Sequence, residues 1–219
     1  MSAPESGSVS GATTSAASLG ALDLAALLCS RVCHDLISPV GAIVNGLEVW
    51  DEGKDEETKT FALDLIKKSS RQASAKLQFC RLAFGAAGSA GAQIELGDAE
   101  RVTRGLIEDG KTTLVWNLPR ELVAKNRAKL LLNMLMVATG TIPRGGTLTV
   151  DPLGSGFRIT AAGHNARVTT ATVELLAGSP PQPVDAHAIQ PLYTGILARD
   201  CGLTVTAVAE GDVVIVAAG

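Results

Sequence analysis

A histidine followed at once by a carboxylate, with a proline five positions later, occurs in His34-Asp35-Leu36-Ile37-Ser38-Pro39-Val40. A neutral imidazole is a good nucleophile, and an unperturbed one is mostly neutral in the cytoplasm. Asp35 is placed to orient the ring or to act as a general base. It reads equally as a solvated helix carboxylate, because adjacent side chains do not face each other on a helix. The run lies inside a strongly helical stretch. At about 100° per residue, Val32, Leu36, Val40, Ile43, Leu47 and Trp50 form one apolar stripe, expected to face a core. His34 points nearly the opposite way, within a band of small or polar residues that includes Leu27, Ser30, Arg31, Ser38, Gly41 and Asn45. Such a histidine is reachable by a large partner, and Leu27, Arg31, Ser38 and Gly41 are the expected partner-facing residues. Pro39 removes one backbone hydrogen bond from its helix.

The elements that must hold this residue follow from the pattern along the chain. Positions 1–17 carry Ser, Ala, Gly and Thr and almost no large apolar side chain, which predicts a disordered tail. A first helix is expected from Leu19 to Asp51, with Gly53 as a stop, and a second from Glu56 to Phe84. The second carries a stripe of Ala62, Ile66, Ser69, Ala73, Leu77, Cys80 and Phe84. A two-helix hairpin has no closed core of its own. A second copy of the chain would close it as a four-helix bundle about a two-fold axis; the alternative is that the rest of the chain packs along it.

After a Gly/Ala/Ser linker at 85–91 the pattern becomes mixed. Helices are expected at 96–109, from Pro119 to Thr139, at 169–177 and at 188–200. Strands are expected at 112–117, 147–150, 157–161, 203–209 and 213–217. Helices against one face of a largely antiparallel sheet make an α+β sandwich. The domains are therefore 18–88, a helical hairpin, and 92–219, the sandwich.

Composition limits the function. The formal net charge of −3 leaves no electrostatic footprint for nucleic acid. Cys29, Cys33, Cys80 and Cys201 show no zinc spacing. The sequence shows no apolar run taken to be long enough for a membrane span and no basic leader. The expectation is a cytoplasmic protein without membrane contact. His164 and His187 sit in loop contexts without partners at ligand spacing and read as surface residues.

The run at His34 resembles the H-box of the dimerisation and histidine-phosphotransfer domain of sensor histidine kinases. The chain from about residue 20 onward is similar to the ChpT-type histidine phosphotransferases of alphaproteobacteria. Ile37 departs from the basic residue that many kinases carry there. Ser38 replaces the Thr or Asn that assists phosphatase activity in many of them, which argues against strong phosphatase activity. The resemblance extends to the ATP-binding domain of those kinases, with its chemistry missing. Asn133 matches the first Asn of the N-box, but Val137 stands where a second Asn helps hold magnesium, and an isopropyl group cannot ligate a hard cation. Ala161 stands where an Asp accepts from adenine, and only Gly195 remains of the glycine-rich lid. Cys201-Gly202-Leu203 resembles the family's His-Gly-Gly turn.

The resemblance implies a homodimeric phosphotransferase in which His34 relays a phosphoryl group between receiver-domain aspartates. It implies no cofactor bound by this chain, with Mg²⁺ brought by the partner receiver. The donor it implies is a CckA-like hybrid kinase; the implied acceptors are CtrA-like and CpdR-like response regulators. A divergent active histidine kinase, or a non-enzymatic dimeric scaffold with an inert His34, are the rival readings.

Overall fold

The computed structural model describes residues 20–85, 92–108, 110–179 and 188–219. The expected tail at 1–17, nearly all of the linker, and His187 lie outside these residues. The N-terminal part is a hairpin of α1 (Ala21–Glu52) and α2 (Glu56–Ala83). Gly53 ends α1, its N–H donating to the Val49 carbonyl at 2.9 Å. Asp55 then caps α2, accepting from the Thr58 N–H at 2.8 Å. That hydrogen bond, joined by one from the Thr58 hydroxyl, lowers the Asp55 pKa.

The hairpin interface is built from small residues. Pro39 and Gly46 are the buried positions of α1, and Ala62, Ser69 and Ala73 are among those of α2. A Cβ at Gly46 would come within 2.7 Å of Ile66 Cγ1, so glycine sets how closely the two helices approach. This corrects the stripe expected from periodicity. Val32, Leu36 and Ile43 are half-buried, but Val40, Leu47 and Trp50 are exposed. The inward face is rotated toward Pro39 and Gly46. On α2, Leu77 is likewise exposed, and Phe79 and Ala83 are buried in its place. A large apolar residue is the usual sign of a core-facing position; here close backbone approach favours small ones.

The C-terminal part is an α/β sheet domain. Its elements are β1 (Gln93–Glu95), α3 (Leu96–Ile107), β2 (Thr112–Trp116), β3 (Leu122–Ala124), α4 (Lys125–Thr141), β4 (Gly146–Leu153), β5 (Gly156–Ala162), α5 (Thr170–Ala177), α6 (Ile189–Asp200), β6 (Val205–Glu210) and β7 (Val213–Ala218). The main sheet has the order β2-β4-β5-β7-β6, parallel only between β2 and β4. Pro119 does not open a helix, as expected from the sequence. It precedes β3, which pairs antiparallel with β1 through Ile94 and Val123. Three-residue strands are too short for alternation to be read. The turn into β4 needs Gly145 and Gly146, at φ 86° and 149°, because a side chain on either would strike backbone of Lys111 or of Ala162 and Gly163.

Helix α4 is apolar on nearly every side because it is covered on both sides. Leu130, Leu131, Met134 and Leu135 belong to the sheet core, whereas Leu132 joins Phe79, Ala83, Ala99 and Val102 at the hairpin. The upstream end of α1 is also covered: Leu24, Leu27 and Leu28 pack against Leu175, Ile189 and Leu192 of α5 and α6. The sheet domain therefore does pack along one end of the hairpin. At the other end Ile37, Val40, Val44 and Leu47 form a continuous exposed apolar row on α1, with Phe61 exposed on α2. Helix α1 is also long and apolar enough by composition to cross a membrane, with a mean hydropathy of 1.4 over its most apolar window. That corrects the expectation that no run reached that length. It touches α2, α5 and α6, with 6% of that window buried among the described residues.

Gly46→Ala is expected to destabilise the fold by about 1–3 kcal/mol through overpacking against Ile66. A lowered urea midpoint at unchanged slope checks this.

Candidate functional site

Pro39 has no N–H, so the carbonyl of Asp35, four residues earlier, loses its helical partner. Lys76 of α2 supplies the missing donor: its Nζ donates to the Asp35 carbonyl at 2.7 Å. The contact ties the two helices together directly beneath His34. Helical periodicity alone does not single out Lys76. The signal was present, because a proline inside a helix orphans the carbonyl at i−4 and calls for a donor from elsewhere.

His34 is held outward, with its side chain 69% exposed. Its Nδ1 lies 3.7 Å from Asp35 Oδ1, close enough for electrostatic coupling but longer than a hydrogen bond. The other carboxylate oxygen, Oδ2, accepts from Arg31 Nε at 2.9 Å, one helical turn upstream. Arg31, Asp35 and His34 therefore form a row in which the arginine fixes the carboxylate and the carboxylate flanks the imidazole on its Nδ1 side.

The remaining expected site residues fall in three environments. Ser38 is exposed beside His34. Gly41 is half-buried, yet a Cβ there would touch nothing within 4 Å, so the packing of this chain does not require glycine. Leu27 is half-buried in the contact with α5 and α6, and Arg31 is turned to Asp35 with only 22% of its side chain exposed. Cys80 lies nearby. Burial, reinforced by the Asp35 charge, pushes its thiol up to about 11, so it is a protonated packing residue at neutral pH.

The nucleotide landmarks have structural uses. Asn133 is fully buried; its Nδ2 donates to the Ala83 carbonyl at 3.1 Å and to the Lys129 carbonyl at 2.8 Å. It thereby joins the end of α2 to α4. Its Oδ1 accepts from Gln190 Nε2 at 2.7 Å. Ala161 is in the sheet core, paired with Leu148 and Val214. Gly195 permits close packing of α6 on α5, since a side chain there would strike the Leu176 backbone. His164 is exposed in the loop after β5. Among the described residues no three His, Cys, Asp or Glu side chains gather as a metal site.

An outward histidine on a two-helix hairpin, carried beside an α/β sheet domain, is the arrangement of a phosphotransfer protein, and comparison with known proteins agrees. Residues 96–213 match the family model described as the histidine phosphotransferase C-terminal domain. The chain is 50% identical over 205 residues to the protein phosphotransferase ChpT of Brucella abortus (strain 2308), covering 91% of this chain and 97% of that one. A solved structure described as a bacterial phosphotransferase superimposes with a TM-score of 0.83 at 46% identity, covering 93% of this chain and 99% of that chain. The chain belongs to the histidine phosphotransferase family, and it is a phosphotransferase.

Lys76→Met is expected to cost about 1–3 kcal/mol by stranding the Asp35 carbonyl. In a Pro39→Ala background residue 39 regains an N–H, and the same change is expected to cost much less. A double-mutant cycle in urea denaturation measures the difference.

Proposed function

We propose that His34 is the phosphoacceptor of a phosphorelay, taking a phosphoryl group from one receiver-domain aspartate and passing it to another. The observation that carries this reading is the exposed His34 ring with Asp35 on its Nδ1 side and Arg31 locking that carboxylate. Attack comes from Nε2 on the phosphorus of an aspartyl phosphate. The N–P bond forms as the P–O bond to the aspartyl carboxylate breaks, and that carboxylate leaves. The ring gains positive charge while its Nδ1–H faces Asp35, which stabilises it. The reverse step delivers the phosphoryl group to a second aspartate.

Asp35, the carboxylate beside His34, is already paired with Arg31, so the fit to a magnesium ion held by this chain is poor. Mg²⁺ belongs to the receiver, where it offsets charge on the transferring group. The open space at Gly41 and the small side chain of Ser38 suit a receiver pocket closing over His34. The donor in this reading is a CckA-like hybrid kinase, and the acceptors are CtrA-like and CpdR-like regulators, all in the cytoplasm. The sheet domain works without ATP and braces the hairpin or seats the receiver. Val137 at the place of a magnesium-binding Asn, Ala161 in the core and Asn133 committed to the Ala83 carbonyl support that reading.

A second copy of the chain covers the row Ile37, Val40, Val44 and Leu47, completing a four-helix bundle. The support is a stripe of large apolar residues, Ile37 being 70% exposed, that nothing among the described residues of one chain buries.

Incubation with a phosphorylated receiver should label the wild type and leave His34→Ala unlabelled. Label on the alanine variant would remove His34 from the relay. Leu47→Glu should shift sedimentation from dimer to monomer, or unfold the bundle, because it places a charge in an apolar interface. A wild type that sediments as a monomer at tens of micromolar would refute the bundle.

A further inference from the structure

Helix α1 has a face that neither α2 nor the sheet domain covers. The sheet domain packs on Leu24, Leu27 and Leu28 and borders Arg31. Helix α2 packs against Gly46. The exposed row Ile37, Val40, Val44 and Leu47 lies on neither side, and it continues upstream through Cys33 and Cys29 in steps of three and four. At about 100° per residue these six positions fall within about 80° of one another, and His34 stands about 100° from their centre. All six are exposed. Both cysteines are free thiols.

Two residues at i and i+4 of a helix hold their Cβ atoms about 5–6 Å apart. That is wider than the roughly 3.5–4.5 Å that a disulfide spans. It is also the spacing at which two side chains on one helix face chelate a single metal ion. A zinc-type ion bound by thiolates takes four of them in a tetrahedron. One chain offers two, and among the described residues no third His, Cys, Asp or Glu joins them. The chelate is therefore half of a site.

A second copy supplies the other half. The large apolar residues of the row lie at its downstream end, near the exposed Phe61 of α2. Pairing like end with like end buries those residues of both copies against each other; head-to-tail pairing would set them on the smaller upstream side chains. Like-with-like pairing about a two-fold axis also brings Cys29 and Cys33 beside the same two thiols of the second copy. We propose that these four thiols form a site for a thiophilic divalent cation of the zinc type at the upstream end of the dimer seam. Each thiol passes its proton to solvent as its sulfur bonds the ion, four protons for one cation. The chain alone shows no zinc spacing because two of the four ligands belong to another copy. The ion joins the two α1 helices just upstream of His34 and stabilises the dimer by mass action. The site rests on the two-copy bundle proposed above and not on the role of His34.

The test uses the full chain, metal-free and under a non-thiol reductant, with Zn²⁺ and Co²⁺ as probes. Zn²⁺ should bind at one ion per two chains, and Co²⁺ should give the intense visible absorption of a tetrahedral thiolate complex. Zn²⁺ should lower the dimer dissociation constant, measured by sedimentation, about tenfold or more. Cys29→Ser and Cys33→Ser should each abolish the cobalt spectrum and the zinc effect while the metal-free dimer is unchanged. Both positions are exposed in one chain, and a melting curve checks that the serines leave the fold intact. Zinc binding that survives the double serine variant overturns the site, as does a stoichiometry of one ion per chain. A wild type that is dimeric but takes up no zinc overturns the site and leaves the bundle standing. A wild type that sediments as a monomer with and without zinc overturns both.

Discussion

One backbone carbonyl governs the arrangement of the N-terminal hairpin. Pro39 leaves the oxygen of Asp35 without its helical donor, and Lys76 crosses from the neighbouring helix to supply one. A buried or half-buried carbonyl left unpaired would penalise any other packing of α2 on α1. The proline thus selects the register of the hairpin. With that register set, Gly46 meets Ala62 and Ile66, and the carboxylate that flanks His34 is anchored through both its backbone and its side chain. The histidine itself needs few constraints because its neighbours carry them.

In the sheet domain, the residues that the sequence matches to nucleotide landmarks hold the fold together. Asn133 joins two domains and orients Gln190, and Gly195 serves helix packing. A fold does not by itself give a function, which is argued here from the residues at His34.

Much of this was legible in the sequence. The His34-Asp35 pair, the two helices and their turn, and most of the sheet strands follow from spacing and from turn residues such as Gly53 and Gly145-Gly146. The partition of the α1 apolar residues was not legible, because Val32 and Leu36 turn toward α2 while Val40 and Leu47 turn away, and one periodicity covers both. Strand β3 was hidden because Leu122–Ala124 acquires its identity only from pairing with Gln93–Glu95. The Arg31–Asp35 pair fits a spacing of four, but nothing in the sequence says that Arg31 also borders the sheet domain. That depends on how two distant segments dock.

The docking of Leu24, Leu27 and Leu28 on Leu175, Ile189 and Leu192 has a consequence for biosynthesis. Helix α1 leaves the ribosome well before α5 and α6, which hold its packing partners. Domains generally fold as units, beginning with the N-terminal one as the chain is made. Here the upstream end of α1 must wait with its leucines in water until α6 is released. A nascent chain stalled before Ile189 would carry His34 on a helix whose leading turns are still unsupported, so the placement of that histidine is tied to the synthesis of α6.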